Sequence, residues 1–189
     1  MELLKKRILE DAEFVGKDVL KVDMFLNHQI DVNLLDQIGK EFYRRFADDK
    51  VSKILTIEAS GIGIACMTAR YFNVPVVFAK KGQNCNIGDD VYMTEIASFT
   101  KGTSACVCVS KKYVGPGDRI LIIDDFLAHG SALSGLIEII NEAAADFVGA
   151  GIVIEKGFQP GGKLLRERGV RVESLALVES IGDGKITFG

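Results

Sequence analysis

The chain has 189 residues, of which 48% are hydrophobic and 26% are charged, and its formal net charge at pH 7 is −3. This length and composition are typical of one globular domain with a complete core. The slight negative charge gives no general field for polyanions, so we expect no nucleic-acid partner, and no run of residues approaches the ~18 apolar positions of a membrane span. We therefore expect a cytoplasmic protein that binds no membrane.

The cysteines indicate packing rather than metal binding. Cys66, Cys85, Cys106 and Cys108 fit a reducing compartment. Cys106 and Cys108 alternate in a predicted strand, so they share a face, but no second pair follows at the spacing of a zinc site. We expect no metal held by the protein alone.

The first half of the chain predicts two helices and then a βαβ unit. The N-terminal segment is amphipathic, and Asp31 can cap a second helix whose apolar residues recur every fourth position. These apolar residues are Leu34, Ile38, Phe42 and Phe46. Strands are predicted at 53–58 and 75–79, with a helix at 62–72 between them.

The second half predicts further alternation of strands and helices. Residues 82–101 are polar and irregular until Tyr92, which is typical of a mobile arm. The later elements are strands at 104–109, 120–123, 147–154 and 170–178 and helices at 133–145 and 161–168. The alternation predicts an α/β fold with a parallel sheet flanked by helices, formed as a single domain over residues 1–189.

The most informative stretch is 120–132, Ile-Leu-Ile-Ile-Asp-Asp-Phe-Leu-Ala-His-Gly-Ser-Ala. Four apolar β-formers predict a strand buried on both faces, which carries Asp124 and Asp125 at its carboxyl end, where open α/β sheets bind ligands. The following residues are small apart from one imidazole, so backbone N–H groups can surround a phosphate. A phosphate cradle beside carboxylates that accept hydrogen bonds from vicinal hydroxyls suits a ribose 5-phosphate.

Two other interpretations of this stretch remain open from the residues alone. A buried strand that ends in two acids also occurs where carboxylates hold Mg²⁺ for phosphate chemistry. An Asp near the start of a helix can simply cap it.

The junction at 58–63, Glu-Ala-Ser-Gly-Ile-Gly, is a second candidate for anion binding. Small residues between a strand and a helix let the amides of Ser60, Gly61 and Ile62 approach a diphosphate. A tight contact between helix and strand explains the glycines equally well. The next strand ends in Lys80 and Lys81, which could neutralise the same diphosphate or could be solvated lysines.

The stretch 120–132 resembles the signature that binds phosphoribosyl pyrophosphate (PRPP) in type I phosphoribosyltransferases. Across nearly the whole chain the sequence resembles the bacterial xanthine phosphoribosyltransferases. The shared stretches are Leu-Ile-Ile-Asp-Asp-Phe-Leu-Ala-x-Gly at 121–130, Ser-Phe-Thr-Lys at 98–101, Gly-Ile-Val-Ile-Glu-Lys at 151–156 and Phe-Gln-Pro-Gly at 158–161.

The resemblance implies a fold, an assembly and an activity. The fold is a parallel sheet flanked by helices with a small hood from both chain ends, about 1–30 and 157–189, and the assembly is a homodimer. The activity is purine salvage, the transfer of phosphoribosyl from PRPP to N9 of xanthine with Mg²⁺, which gives XMP and pyrophosphate.

The resemblance also implies roles for single residues. Asp124 and Asp125 would be catalytic, and Lys81 would join the amides at 60–62 around the pyrophosphate. The PRPP-binding stretch would be Ala128, His129, Gly130, Ser131 and Ala132. Ser98 and Lys101 would act from a loop that closes over the reactants.

The implied base contacts are Leu20, Asn27 and Lys156. The Lys156 ammonium can donate to the 6-oxo group and N7 of an oxopurine and has nothing to offer the exocyclic amine of adenine. The alternative is a solvated lysine at a strand end. Phe158 could stack on the purine or pack within the hood, and Asn27 suits either a dioxopurine edge or a turn.

The sequence departs from the family pattern at two positions of the PRPP stretch. His129 stands where the family usually has Asn, and Ala132 replaces a hydroxyl residue common in the superfamily. Other functions remain open beside the xanthine activity: another purine phosphoribosyltransferase, for guanine, hypoxanthine or adenine, or a regulator that senses PRPP without catalysis. A regulator would need a DNA-binding module, which the acidic sequence does not suggest.

Overall fold

An eight-stranded mixed sheet forms the centre of the fold in the computed structural model, which describes residues 1–15, 19–82, 90–98, 103–182 and 185–189. The strands are β1 (Glu13–Val15), β2 (Val19–Lys21), β3 (Lys53–Ile57), β4 (Val76–Lys81), β5 (Val91–Ser98), β6 (Thr103–Ser110), β7 (Arg119–Leu127), β8 (Asp146–Lys156), β9 (Val172–Gly182) and β10 (Lys185–Phe188). The helices are α1 (Glu2–Asp11), α2 (Val32–Phe46), α3 (Gly61–Phe72), α4 (Ser131–Glu142) and α5 (Gly161–Glu167). A π-helical turn at Asp23–Asn27 and a 3₁₀ turn at Ala47–Asp49 flank α2.

The five central strands of the large sheet are parallel, as predicted. The sheet order is β10-β9-β8-β7-β3-β4-β6-β5, and β9, β8, β7, β3 and β4 run in one direction. From β3 the chain crosses to β4 on one side, whereas from β7 it crosses to β8 on the other. The carboxyl ends of β3 and β7 therefore form a topological switch point, where open α/β sheets bind their ligands.

The sheet also has antiparallel strands at both edges, which the sequence did not predict. β10 pairs antiparallel with β9 at one edge, and the β5–β6 hairpin pairs antiparallel with β4 at the other. The small β1–β2 hairpin also has no counterpart among the predicted elements. Antiparallel pairs need no crossover helix between their strands, so the alternation of helices and strands does not reveal them.

Helices cover both faces of the sheet. On one face α1, α2 and α3 enclose a core that includes Phe25, Phe42 and Ile64, while on the other α4 and α5 pack on β3, β7 and β8. The Asp31 side chain caps α2 by accepting a hydrogen bond from the Leu34 amide at 3.1 Å, which confirms the predicted cap. The predicted apolar stripe is fully in this core: Leu34, Ile38, Phe42 and Phe46 are all buried.

The two chain ends lie together beside β9. The amino group of Met1 donates to the Leu175 carbonyl, and Lys5 Nζ donates to the Gly189 carbonyl at 3.0 Å. Within the described ranges, no helix is both long and apolar enough to cross a membrane.

Candidate active site

Asp124 and Asp125 lie inside β7, near its carboxyl end, rather than beyond the strand. β7 continues to Leu127, so the prediction that the strand stops at residue 123 was too short. Asp124 is 5% exposed, and its Oδ1 accepts a hydrogen bond from the Asp125 amide at 3.0 Å. Asp125 is half-buried.

The electrostatics of Asp124 are unusual. Burial and the nearby charge of Asp125 raise the pKa of the Asp124 carboxyl well above its usual value of 3.8, while the positive charge of Lys81 opposes the rise. A buried acid resists ionisation until an opposite charge approaches. Asp124 is therefore suited to respond to positive charge that develops beside it.

The β3–α3 loop, residues 58–60, is pressed against Asp124 from the neighbouring strand. A Cβ atom on Gly61 would lie 2.1 Å from Thr56 Oγ1 and 3.3 Å from Asp124 Oδ1, so only glycine fits at the start of α3. Thr56 is fully buried, and its hydroxyl has no hydrogen-bond partner among the described residues. The tight contact between helix and strand is thus present at Gly61, and the Ile62 amide donates to the Ala59 carbonyl at 3.2 Å.

Lys81 lies at the end of β4, beside the same loop. Its backbone N–H donates to Glu58 Oε1 at 2.6 Å, and its side chain is exposed. Glu58 therefore fixes the strand end that carries Lys81, and this role of Glu58 was not foreseen from the sequence. The Glu58–Ala59 peptide bond is cis.

The β7–α4 loop, residues 128–130, leads directly into α4. Gly130 has φ +85°, and its carbonyl accepts the first helical hydrogen bond from the Ser134 amide at 2.9 Å. Ser131 and Ala132 begin the first turn of α4, which therefore starts two residues before the predicted helix start at residue 133. This arrangement leaves the N–H groups of the first turn directed outward at the switch point. His129 is exposed.

The loop is supported from behind by α5. The Gly161 amide donates to the Ala128 carbonyl at 3.1 Å, and a Cβ on Gly161 would lie 2.3 Å from that carbonyl oxygen. The backbones of Ala128 and Gly161, which are 33 positions apart in the sequence, thus touch. Sequence reasoning did not foresee this contact, although the adjacent glycines Gly161 and Gly162 were a signal for close approach.

The predicted base contacts fall into two groups. Lys156 is the last residue of β8, beside β7, and its Nζ lies 5.7 Å from the centroid of the Phe126 ring. Phe158 is partly buried against the core of the α1–α3 face. Leu20 in β2 is 5% exposed and packs in that core, whereas Asn27 ends the π-helical turn and is exposed.

The structure gives only part of the predicted arm. Ser98 is the last residue of β5, and β5 pairs with β6 along its full length. Lys101 lies outside the described residues, as does the stretch 83–89. Thr94 Oγ1 donates to Glu138 Oε2 of α4 at 2.7 Å, so the described part of the segment is an ordered strand against α4.

Comparisons with known proteins agree with this geometry. Residues 21–176 match the family model of the phosphoribosyl transferase domain. The chain is 63% identical over 188 residues to a xanthine phosphoribosyltransferase of Clostridium novyi, which covers 100% of this chain and 99% of that protein. It is 56% identical over 189 residues to a xanthine phosphoribosyltransferase of Clostridioides difficile, with 100% of both chains covered.

The chain belongs to the xanthine phosphoribosyltransferase family. The resemblance noted in the sequence is therefore confirmed. Solved structures at lower identity confirm the fold. An adenine phosphoribosyltransferase from Thermoanaerobacter pseudethanolicus superposes with a TM-score of 0.74 at 19% identity, over 93% of this chain and 98% of that one. One from Giardia lamblia, complexed with 9-deazaadenine, gives 0.75 at 20% identity over 92% and 96%.

Proposed function

We propose that this protein transfers the 5-phosphoribosyl group of PRPP to N9 of xanthine and releases pyrophosphate, as a purine salvage enzyme. The observation that supports this most strongly is the meeting of two small-residue loops at Asp124 and Asp125, on the switch point of the sheet. PRPP needs two separate phosphate contacts with a ribose between them. The site offers an acid pair that lies between two loops.

The acids serve the ribose in this proposal. Departure of pyrophosphate from C1′ leaves positive charge on the ribose ring, and preorganised carboxylates stabilise such charge most in the transition state. Asp124, held by the Asp125 amide, and Asp125 would also accept hydrogen bonds from the 2′- and 3′-hydroxyls.

The two loops serve the two ends of PRPP. The amides of 128–132 would hold the 5′-phosphate, and the amides of 60–62 with Lys81 would hold the pyrophosphate. Mg²⁺ fits this site as a partner of the substrate. Among the described residues no group of three or more His, Cys, Asp or Glu could hold a metal, and Mg²⁺ commonly binds through one or two carboxylates plus substrate phosphates. When bound it would neutralise charge on the leaving pyrophosphate.

The base would lie between β8 and the N-terminal segment. The Lys156 ammonium would donate to the 6-oxo group, and Phe158 would supply an apolar surface near it. Leu20 and Asn27 complete the proposed pocket from the other chain end. Ser98 and Lys101 would act from the arm, which closes to exclude water from PRPP.

We propose a cytoplasmic homodimer whose chain forms one domain, with the hood built from about 1–30 and 157–189. The contacts of Met1 with Leu175 and of Lys5 with Gly189, which join the two chain ends, support the hood. The family membership supports the dimer.

One assay tests the proposed activity. Pyrophosphate release from PRPP is measured with xanthine, guanine, hypoxanthine and adenine in parallel, with Mg²⁺ present. We expect the highest kcat/KM with xanthine and the lowest with adenine. A preference for another purine would replace the proposed substrate, and PRPP binding without turnover on any of the four would indicate a sensor instead of an enzyme.

A further inference from the structure

An ion pair with a buried carboxylate lies directly behind the β7–α4 loop. Arg166 of α5 donates to both carboxylate oxygens of Glu155, at 2.6 Å and 2.7 Å. Ser174 of β9 donates to the same carboxylate, and Arg166 also donates to the Val172 carbonyl at 3.3 Å. Burial raises the pKa of Glu155, but the Arg166 and Ser174 donors outweigh burial and hold the pKa below its usual value. Glu155 is thus ionised and fully partnered.

The ion pair ties α5 to the end of β8. A Cβ on Gly162 would lie 1.9 Å from Glu155 Oε1, so the start of α5 rests on the carboxylate itself. Arg166 holds the same helix one turn later. The seven-residue α5 is too short to be stable without tertiary contacts, so the pair anchors it to β8.

From this anchored position α5 contacts the β7–α4 loop at two points. Gly161 donates its backbone N–H to Ala128, and the buried Leu165 side chain lies 3.1 Å from the place a Cβ on Gly130 would occupy. Gly130 itself can adopt many backbone conformations. The direction of the loop amides is therefore set by α5 and not by the loop alone.

We propose that Arg166 is a positioning residue for PRPP, which acts through Glu155 and α5 to aim the β7–α4 loop at the 5′-phosphate. The inference rests on the proposed function and adds to it a part of the chain that touches no substrate. A small displacement of α5 moves the loop amides, and displacements near 1 Å can cost on the order of 10² in activity.

The chain offers a matched control for the variants. Arg171 pairs with Asp49 at 2.9 Å, and its side chain is 41% exposed against 42% for Arg166. Arg171 also stacks on Phe46, with its guanidinium carbon 4.4 Å from the ring centroid, so its loss removes a comparable set of contacts. It contacts the segment 45–49, which precedes β3, far from the carboxyl ends of the strands.

The experiment compares Arg166→Met, Arg166→Lys and Arg171→Met with the wild type. Ribose 5-phosphate affinity is measured by calorimetry, and KM and kcat are measured with PRPP and xanthine. We expect Arg166→Met to weaken the binding of ribose 5-phosphate and to raise the KM for PRPP, each by roughly tenfold. The changes in kcat and in the KM for xanthine should be smaller. Arg166→Lys should fall between, because lysine cannot form the bidentate pair. Arg171→Met should keep wild-type PRPP values.

A double variant separates positioning from stability. Removing Arg166 alone leaves a buried charge without its partner and lowers stability, whereas Glu155→Gln with Arg166→Met removes both charges. We expect the double variant to regain stability and still bind ribose 5-phosphate weakly. Recovery of affinity together with stability, or an equal effect in Arg171→Met, would overturn the inference. A wild type that binds ribose 5-phosphate but has no activity on xanthine would instead contradict the proposed function.

Discussion

The two loops at the switch point have the same local plan but are held in different ways. Each connects a buried strand to a helix through small residues. The β3–α3 loop is held by strands of the sheet, because Gly61 at its end lies against Thr56 of β3 and against Asp124 of β7. The β7–α4 loop is held from outside, because Gly161 and Leu165 of α5 support it. The first loop therefore has little freedom to move, and the second depends on a distant element.

The acids between the loops should give the largest effect. We expect Asp124→Asn and Asp125→Asn each to lower kcat by on the order of 10² or more, because each removes charge stabilisation that matters most in the transition state. Steady-state kinetics with circular dichroism spectra of both variants test this. Near-wild-type rates in both variants would show that the acids take no part in the reaction.

Lys156 lies outside both loops. Its substitution tests whether binding of the base is separate from the binding of PRPP by the loops. We expect Lys156→Ala to weaken the binding of xanthine by roughly 2–4 kcal/mol, because a charge-assisted hydrogen bond is lost and a base oxygen is left unpaired. The KM for PRPP should change little. Unchanged xanthine kinetics would show that Lys156 is only packed against Phe126.

A methyl group on each loop glycine tests the comparison directly. Gly61→Ala places a Cβ 2.1 Å from Thr56 Oγ1, so we expect kcat/KM for PRPP to fall by about 10–100-fold. Gly130→Ala meets the flexible end of Leu165 at 3.1 Å but is strained at φ +85°, so we expect a loss of about 1 kcal/mol in stability with a smaller kinetic effect.

The double variant Thr56→Ala with Gly61→Ala provides the control for this clash. It removes the hydroxyl oxygen that the new Cβ would meet and leaves the Thr56 Cβ position at 3.5 Å. Part of the PRPP efficiency should return. If the double variant is no better than Gly61→Ala, the β3–α3 loop is not held through Thr56.

The raised pKa of Asp124 predicts a dependence of stability on pH. The folded protein keeps this proton above pH 3.8, where the unfolded chain has released it, so the contribution of Asp124 to stability falls as pH rises through and above that value. Asp124→Asn cannot ionise. Urea unfolding without ligands should show the stability of the variant rising relative to that of the wild type as pH rises from about 4 towards the raised pKa. A difference that is constant with pH would show that the carboxyl ionises as easily when folded.

The smallest expected effect concerns His129 in the β7–α4 loop. The His129 imidazole can add one hydrogen bond to the 5′-phosphate, but the backbone amides make the main contact. We expect His129→Asn to change the KM for PRPP by no more than about threefold, because Asn can also donate to a phosphate oxygen. A KM raised tenfold or more would show that the imidazole, rather than the backbone, holds the phosphate.

The sequence by itself determined the parts of the protein that depend on local patterns. The apolar periodicity predicted the buried stripe of α2 and the central strands, and Asp31 predicted the cap of α2. The stretch 120–132 predicted the acids and the loop beside them. These features could be predicted because an i, i+4 repeat, a cap or a strand with its following loop lies within about a dozen residues.

Only the tertiary structure decided which distant residues meet. The antiparallel edges of the sheet, the contact of Gly61 with Thr56 and Asp124, and the support of Ala128 by Gly161 all join segments through packing. The ion pair of Glu155 with Arg166 could not be predicted either, because the sequence around a charged residue in an apolar strand does not identify its partner. Close approach depends on where whole elements pack, and that is a property of the complete core rather than of any short stretch.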